Sequence, residues 1–175
     1  MSGKNRHLKG AMNPIIAPVH SYHVVEAGDF MVLDSESGTV GAGLSATNYA
    51  IPFDDAKMAA ASATNCQRVL YTYFLGVAME DSPSGVTENI TIAQSGVFRY
   101  PLHSSFLGAG VTVGSLVSAV SNTLAAGASV QTVAIGAASV IASTAYLGYI
   151  MKTESGATFV DFQLRTAYGP GGLAS

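Results

Sequence analysis

Few residues in this chain could do chemistry, and their spacing keeps them apart. His20 and His23 stand three apart in a stretch that reads as extended. Strand side chains alternate faces, so this spacing turns the two imidazoles to opposite sides and makes a poor chelate. His103 is isolated, and Ser104 and Ser105 follow it with no nucleophile-elbow motif and no acid to orient a base. Cys66 is the single cysteine. It can form neither a disulfide within the chain nor a multi-thiolate metal site, and it reads as a buried, inert thiol. Asp54-Asp55 and Glu80-Asp81 are adjacent carboxylates in cap or turn contexts, which suits solvation and capping better than acid–base work. The run from Gly108 to Gly114 misses the dinucleotide-binding spacing and lacks a phosphate-loop lysine. Asn89-Ile90-Thr91 matches a glycosylation sequon but falls inside a predicted strand. The expectation is no catalytic centre, no metal and no cofactor: a protein that binds or builds and is not an enzyme.

Composition points the same way. Charged residues are 11% of the 175, against about 25% in an average soluble domain. A charge-poor surface is easiest to keep in solution when partner chains cover much of it. The formal net charge of −3 argues against nucleic acid as a partner. The start of the chain is polar and basic with no apolar run behind it, so it does not read as a secretory signal. Between Tyr100 and Met151 there is no Asp, Glu, Lys or Arg. The window 133–151 is long enough for a spanning helix. Gly136, Ser139, Ser143, Thr144 and Gly148 interrupt it among β-branched residues, so a pair of buried strands is the better account and no membrane is expected.

The elements that must position these residues read as mainly β, in a barrel-like or sandwich-like arrangement. Residues 1–20 form an extended arm: Lys4, Arg6 and Lys9 cluster ahead of Pro14 and Pro18, which disfavour helix. Such an arm is either a frayed tail or a segment that orders on a partner through Ile15, Ile16 and Val19. Strands are predicted over 22–25 and 30–33, joined by the turn Glu26-Ala27-Gly28-Asp29. Residues 44–53 read as loop, and 55–73 as a helix capped by Asp54 or Asp55. Further strands follow over 75–79, 89–93, 97–102, 116–117, 130–135, 145–151 and 158–164. This divides the chain into the arm, a β-rich subdomain over 21–102, a second over 103–168 and a flexible tail over 169–175.

An internal echo runs through the sequence. Phe74-Leu75-Gly76-Val77-Ala78-Met79 resembles Tyr146-Leu147-Gly148-Tyr149-Ile150-Met151, and each is followed by a polar turn carrying Ser-Gly. The segment 25–32 similarly resembles 111–117. The echo reads as two related subdomains or one barrel with pseudo-repeats, set against chance likeness of short apolar words.

The segment from Phe74 to Leu102, with Ser95-Gly96-Val97-Phe98-Arg99-Tyr100 after an alternating strand, resembles the head decoration proteins of lambda-like phages. It is similar also to the small capsid cement proteins of tailed phages, through the Glu26-Ala27-Gly28-Asp29 turn and the Leu75-Gly76-Val77-Ala78 strand. The likeness covers roughly residues 24–102 and fades in the second half; this chain is longer than the lambda-type protein. The resemblance implies a homotrimer on the exterior of an icosahedral head, clamping neighbouring major capsid proteins after expansion. Lys4, Arg6, Lys9, Ile15, Ile16 and Val19 would then be the arm's contacts, and Gly28, Asp29, Gly76, Gly96 and Phe98 the turn-and-strand motif. The charge-free region 100–151 serves either trimer contacts or an apolar core. The competing expectation is a tail or surface adhesion subunit that binds a host glycan or receptor, against which the absence of Trp counts mildly.

Overall fold

The computed structural model describes residues 6–34, 49–53, 72–83, 85–102, 111–119, 133–136, 146–153 and 158–166. Strands make up 56% of these residues and helix 3%, so the fold is mainly β. The strands are β1 (Arg6–Lys9), β2 (Pro14–Val19), β3 (Phe30–Leu33), β4 (Ala50–Pro52), β5 (Phe74–Ala78), β6 (Glu88–Ala93), β7 (Gly96–Pro101), β8 (Leu116–Ala119), β9 (Val133–Gly136), β10 (Gly148–Lys152) and β11 (Phe159–Leu164). Five of them close a barrel in the order β2-β4-β3-β5-β6, and six form a sheet in the order β1-β7-β11-β10-β8-β9.

The echo is a structural duplication. Strands β2 to β6 and β7 to β11 follow one another in the same order, and their registers match. Phe30 faces Val77 and Met31 faces Gly76 in the barrel; Leu116 faces Tyr149 and Val117 faces Gly148 in the sheet. Val77 then faces Ala93 and Ala78 faces Ile92, as Tyr149 faces Gln163 and Ile150 faces Phe162. Pro18 opposite Asn89 has its counterpart in Pro101 opposite Phe159. The turns agree as well. The Gly28 N–H donates to the Ala78 carbonyl at 2.8 Å and the Ala78 N–H to the Asp29 carbonyl at 2.9 Å. In the second repeat the Gly114 N–H donates to Ile150 and the Ile150 N–H to Ser115, both at 2.9 Å. Gly28 (φ 102°) and Gly114 (φ 88°) hold the left-handed conformation at the same place in each turn, which only glycine adopts at no steric cost.

Several expectations are corrected here. The arm is not free of the fold: its two stretches are β1, an edge strand of the sheet, and β2, the first strand of the barrel. The division after residue 102 also moves. β7 is the first strand of the second repeat and pairs with β11 along its whole length, so the repeats run over 14–93 and 96–164. Residues 22–25 are not a strand, because the His23 N–H turns back to the His20 carbonyl at 3.0 Å and only Val25 bridges to Ser82. Within the expected loop 44–53, Ala50–Pro52 is β4, which pairs with β3 and closes the barrel through a parallel pairing of Ala50 with Val19. Of the expected helix over 55–73, only Thr72 and Tyr73 lie within the described residues, and both are helical. The tail over 169–175 lies outside them.

Strands β3 to β6 each serve two cores, while β2 serves the barrel interior alone. Val19, Met31, Leu75, Ala78, Ile90 and Ile92 fill the barrel interior. The alternate residues Phe30, Val32, Phe74 and Val77 leave the barrel and pack with Phe98, Tyr100, Ile150 and Phe162 of the sheet. An aromatic stack joins the two repeats. The Phe30 and Tyr100 rings lie 4.5 Å apart and nearly parallel, and Phe162 follows Tyr100 at 5.6 Å. The buried Tyr100 hydroxyl donates to the Gly28 carbonyl. Burial first, then the charge of Asp29, pushes the phenol's pKa well above its usual 10.0, so it stays a donor.

Candidate functional site

The residues expected to form a capsid-gripping arm separate in space. Lys4 lies outside the described residues. Arg6 and Lys9 are on β1 in register with Arg99 and Val97. Val19 is fully buried in the barrel, and Ile15 is half-buried against the same core. Ile16 points the other way and is 75% exposed. Of the three apolar arm residues, then, Ile16 alone is a surface contact, as strand alternation requires.

The expected turn-and-strand motif is scaffold. Gly28 supplies the turn and the carbonyl that anchors Tyr100. Asp29 is buried, and its Oδ2 accepts the Glu26 N–H at 2.8 Å. Gly76 (φ 147°) lies directly over the Ala93 carbonyl oxygen, where a Cβ would collide with backbone. Gly96 (φ 126°) opens β7, and Phe98 is buried in the core shared by both repeats.

Two surfaces emerge instead. The first is the end of the barrel. There the Ala27 N–H donates to Asp81 Oδ1 at 2.7 Å, joining the turn that carries Glu26 to Asp81, while the Glu80 carboxylate accepts from the Thr91 N–H and hydroxyl. The Gly85 N–H donates to the Ser21 carbonyl at 2.8 Å and the Ser21 N–H to Thr87 Oγ1 at 3.3 Å, joining the segment that carries Val86 to the one that carries Tyr22 and Val24. All three of these apolar side chains are exposed, Tyr22 by 76%. His20 stacks on Tyr22 at 4.4 Å and meets Tyr49 edge-on at 5.2 Å. The second surface is the outward face of the sheet. Across it runs a register row of Arg99, Asp161 and Lys152. Arg99 Nε and Nη2 donate to the two oxygens of Asp161 at 2.7 and 3.0 Å. The next row holds Lys9, Val97, Gln163, Tyr149 and Leu116. Tyr149, Met151 and Phe159 are exposed.

His23 and Asp34 are buried at the barrel end. Burial raises the Asp34 carboxyl above its usual 3.8, and the nearby His23 charge partly offsets this. Asp34 Oδ1 has no hydrogen-bond partner. A carboxyl with a raised folded pKa contributes stability that is present below its unfolded value and is lost as pH rises through the folded one. Asp34→Asn should therefore raise the melting temperature at neutral pH, and the gain should shrink as pH falls below 4. Melting curves from pH 3 to 8 check this; a gain independent of pH would refute the assignment.

Among the described residues no group of three or more His, Cys, Asp or Glu could hold a metal ion. No helix there is long and apolar enough to cross a membrane. No protein-family model matches the chain, and no curated protein matches it. Sequence reasoning missed both surfaces. Their signal was in the outward residues of each alternating strand, but which strands lie side by side is not written locally.

Proposed function

We propose that the chain is a structural virion protein, a capsid decoration protein. It binds the outer face of an icosahedral head as a trimer and stabilises contacts between major capsid proteins. The observation that supports this best is the pair of outward surfaces, each combining exposed apolar side chains with charge of one predominant sign. Exposed apolar groups rimmed by charge are characteristic of surfaces that bind protein. The resemblance to phage decoration proteins covers roughly 24–102, and its segment 74–102 spans β5 and β6 of the barrel repeat and β7, where the second repeat opens. Binding only the mature shell would stabilise it by the binding free energy at every occupied site.

The experiment is co-sedimentation of the purified protein with expanded and unexpanded shells. Saturable binding to expanded shells, in multiples of three and with a raised disassembly temperature, is expected. Absence of binding to either shell refutes the reading. A truncation series adds a sharper result. Removing residues 1–10 takes away β1 and should leave a folded barrel. Removing residues 1–18 takes away most of β2, which pairs with β6 along its length, and should unfold the barrel, as circular dichroism would show.

One observation favours the adhesion-subunit alternative: the exposed Tyr22 stacked on His20 offers an aromatic face of the kind that sugars pack on. Under that reading the protein binds neither shell, and Tyr22→Ala abolishes glycan or host-cell binding.

A further inference from the structure

We infer that the outward face of the second repeat's sheet is a self-association surface whose occupant is the acidic barrel end of a second copy of this chain. Among the described residues the charges separate the two surfaces, with Asp161 the exception. Among these residues the barrel repeat has Glu26, Glu80, Asp81 and Glu88 at least partly exposed, with Asp29 and Asp34 buried, and no Lys or Arg. The described part of the second repeat together with β1 carries Lys9, Arg99, Lys152 and Arg165, with Asp161 as the one carboxylate there. One molecule therefore presents an acidic end and a basic face.

The apolar side chains divide in the same way. Tyr22, Val24 and Val86 accompany the acids, and Tyr149, Met151 and Phe159 accompany the bases. Each surface offers the other both charge complementarity and apolar area, the combination that steers encounter and then holds it. The duplication gives a second argument. Phe30 and Val77 of the barrel are buried against the rest of the molecule, while their counterparts Leu116 and Tyr149 remain partly open. The face that is already an interface in the first repeat is more open in the second.

Joining an acidic end to a basic face is a heterologous contact, which generates a ring when the rotation closes. That the ring closes at three rests on the decoration reading; the pairing of the two faces does not. Glu26 and Lys152 are the probes. Both are exposed, and neither side chain supports the Tyr100 stack.

The test is sedimentation velocity on the full chain at micromolar concentration, at low and molar salt. Lys152→Glu and Glu26→Lys should each weaken self-association by about tenfold or more, salt should weaken the unmodified protein similarly, and the double reversal should recover most of the loss. Unchanged melting curves establish that the variants are folded. A monomer at micromolar concentration, or single variants that associate normally, would overturn the inference. So would variants that keep their oligomer and lose only shell binding, because the face would then belong to the capsid. Charge-dependent association without any shell binding would uphold the inference and remove the decoration reading.

Discussion

Gly148→Ala should lower stability by about 3 kcal/mol, or roughly 6–12 °C in Tm for a chain of this length. A Cβ at this position runs into the Gln163 carbonyl oxygen and carbon and reaches Phe162 Cδ2. The neighbours are paired backbone, which cannot turn aside as a flexible side chain could. Gly76→Ala should cost about as much. Its Cβ meets the Ala93 carbonyl in the same way, and its φ of +147° adds strain of its own. The two collisions are equivalent in the duplication: each glycine precedes the residue whose cross-strand partner supplies the carbonyl. Gly85→Ala is the control. Its φ is +93° with nothing within 4 Å, so only backbone strain of roughly 1–2 kcal/mol is expected. Denaturant melts of the three variants give the order. Equal losses at Gly148 and Gly85 would mean that the strands do not approach as closely as described.

The second large effect is at Tyr100. Tyr100→Ala should cost about 3–5 kcal/mol, the usual range for removing a fully buried aromatic ring. Its ring lies between Phe30 of the barrel and Phe162 of the sheet, so the loss falls on the junction of the repeats. Tyr100→Phe keeps the stack and leaves the Gly28 carbonyl without its donor, at about 1–3 kcal/mol. A double-mutant cycle with Phe30 should return a coupling of about 0.5–1.5 kcal/mol. pH adds an independent check. Because the folded phenol's pKa is raised above 10.0, its contribution is present below that value and is lost as pH rises above it. Tyr100→Phe should flatten the alkaline limb of the stability curve. An unaltered limb would show that another group governs it.

Much of the strand map was legible. Asn89-Ile90-Thr91-Ile92, Val97-Phe98-Arg99-Tyr100 and Phe159-Val160-Asp161-Phe162 alternate with the period of a half-buried strand, and β6, β7 and β11 cover them. Gly76 and Gly148 stood at matching places in the echo, and both prove to lie against a neighbouring carbonyl. Ala50-Ile51-Pro52 was too short and too neutral to mark β4. Tyr22 to Val25 has strand-forming residues, yet a tight hydrogen-bonded turn at His20 overrides that propensity.

The amino-acid sequence by itself determined the β character, the doubled theme and the poverty of charge, because these follow from residue type and short-range period. The tertiary structure alone decided that 14–19 opens the first repeat and 96–101 the second, and that Val19 is buried while Ile16 faces outward. Alternation says which side chains share a face. Only pairing between strands some seventy residues apart in sequence, such as β2 with β6, says what that face is laid against.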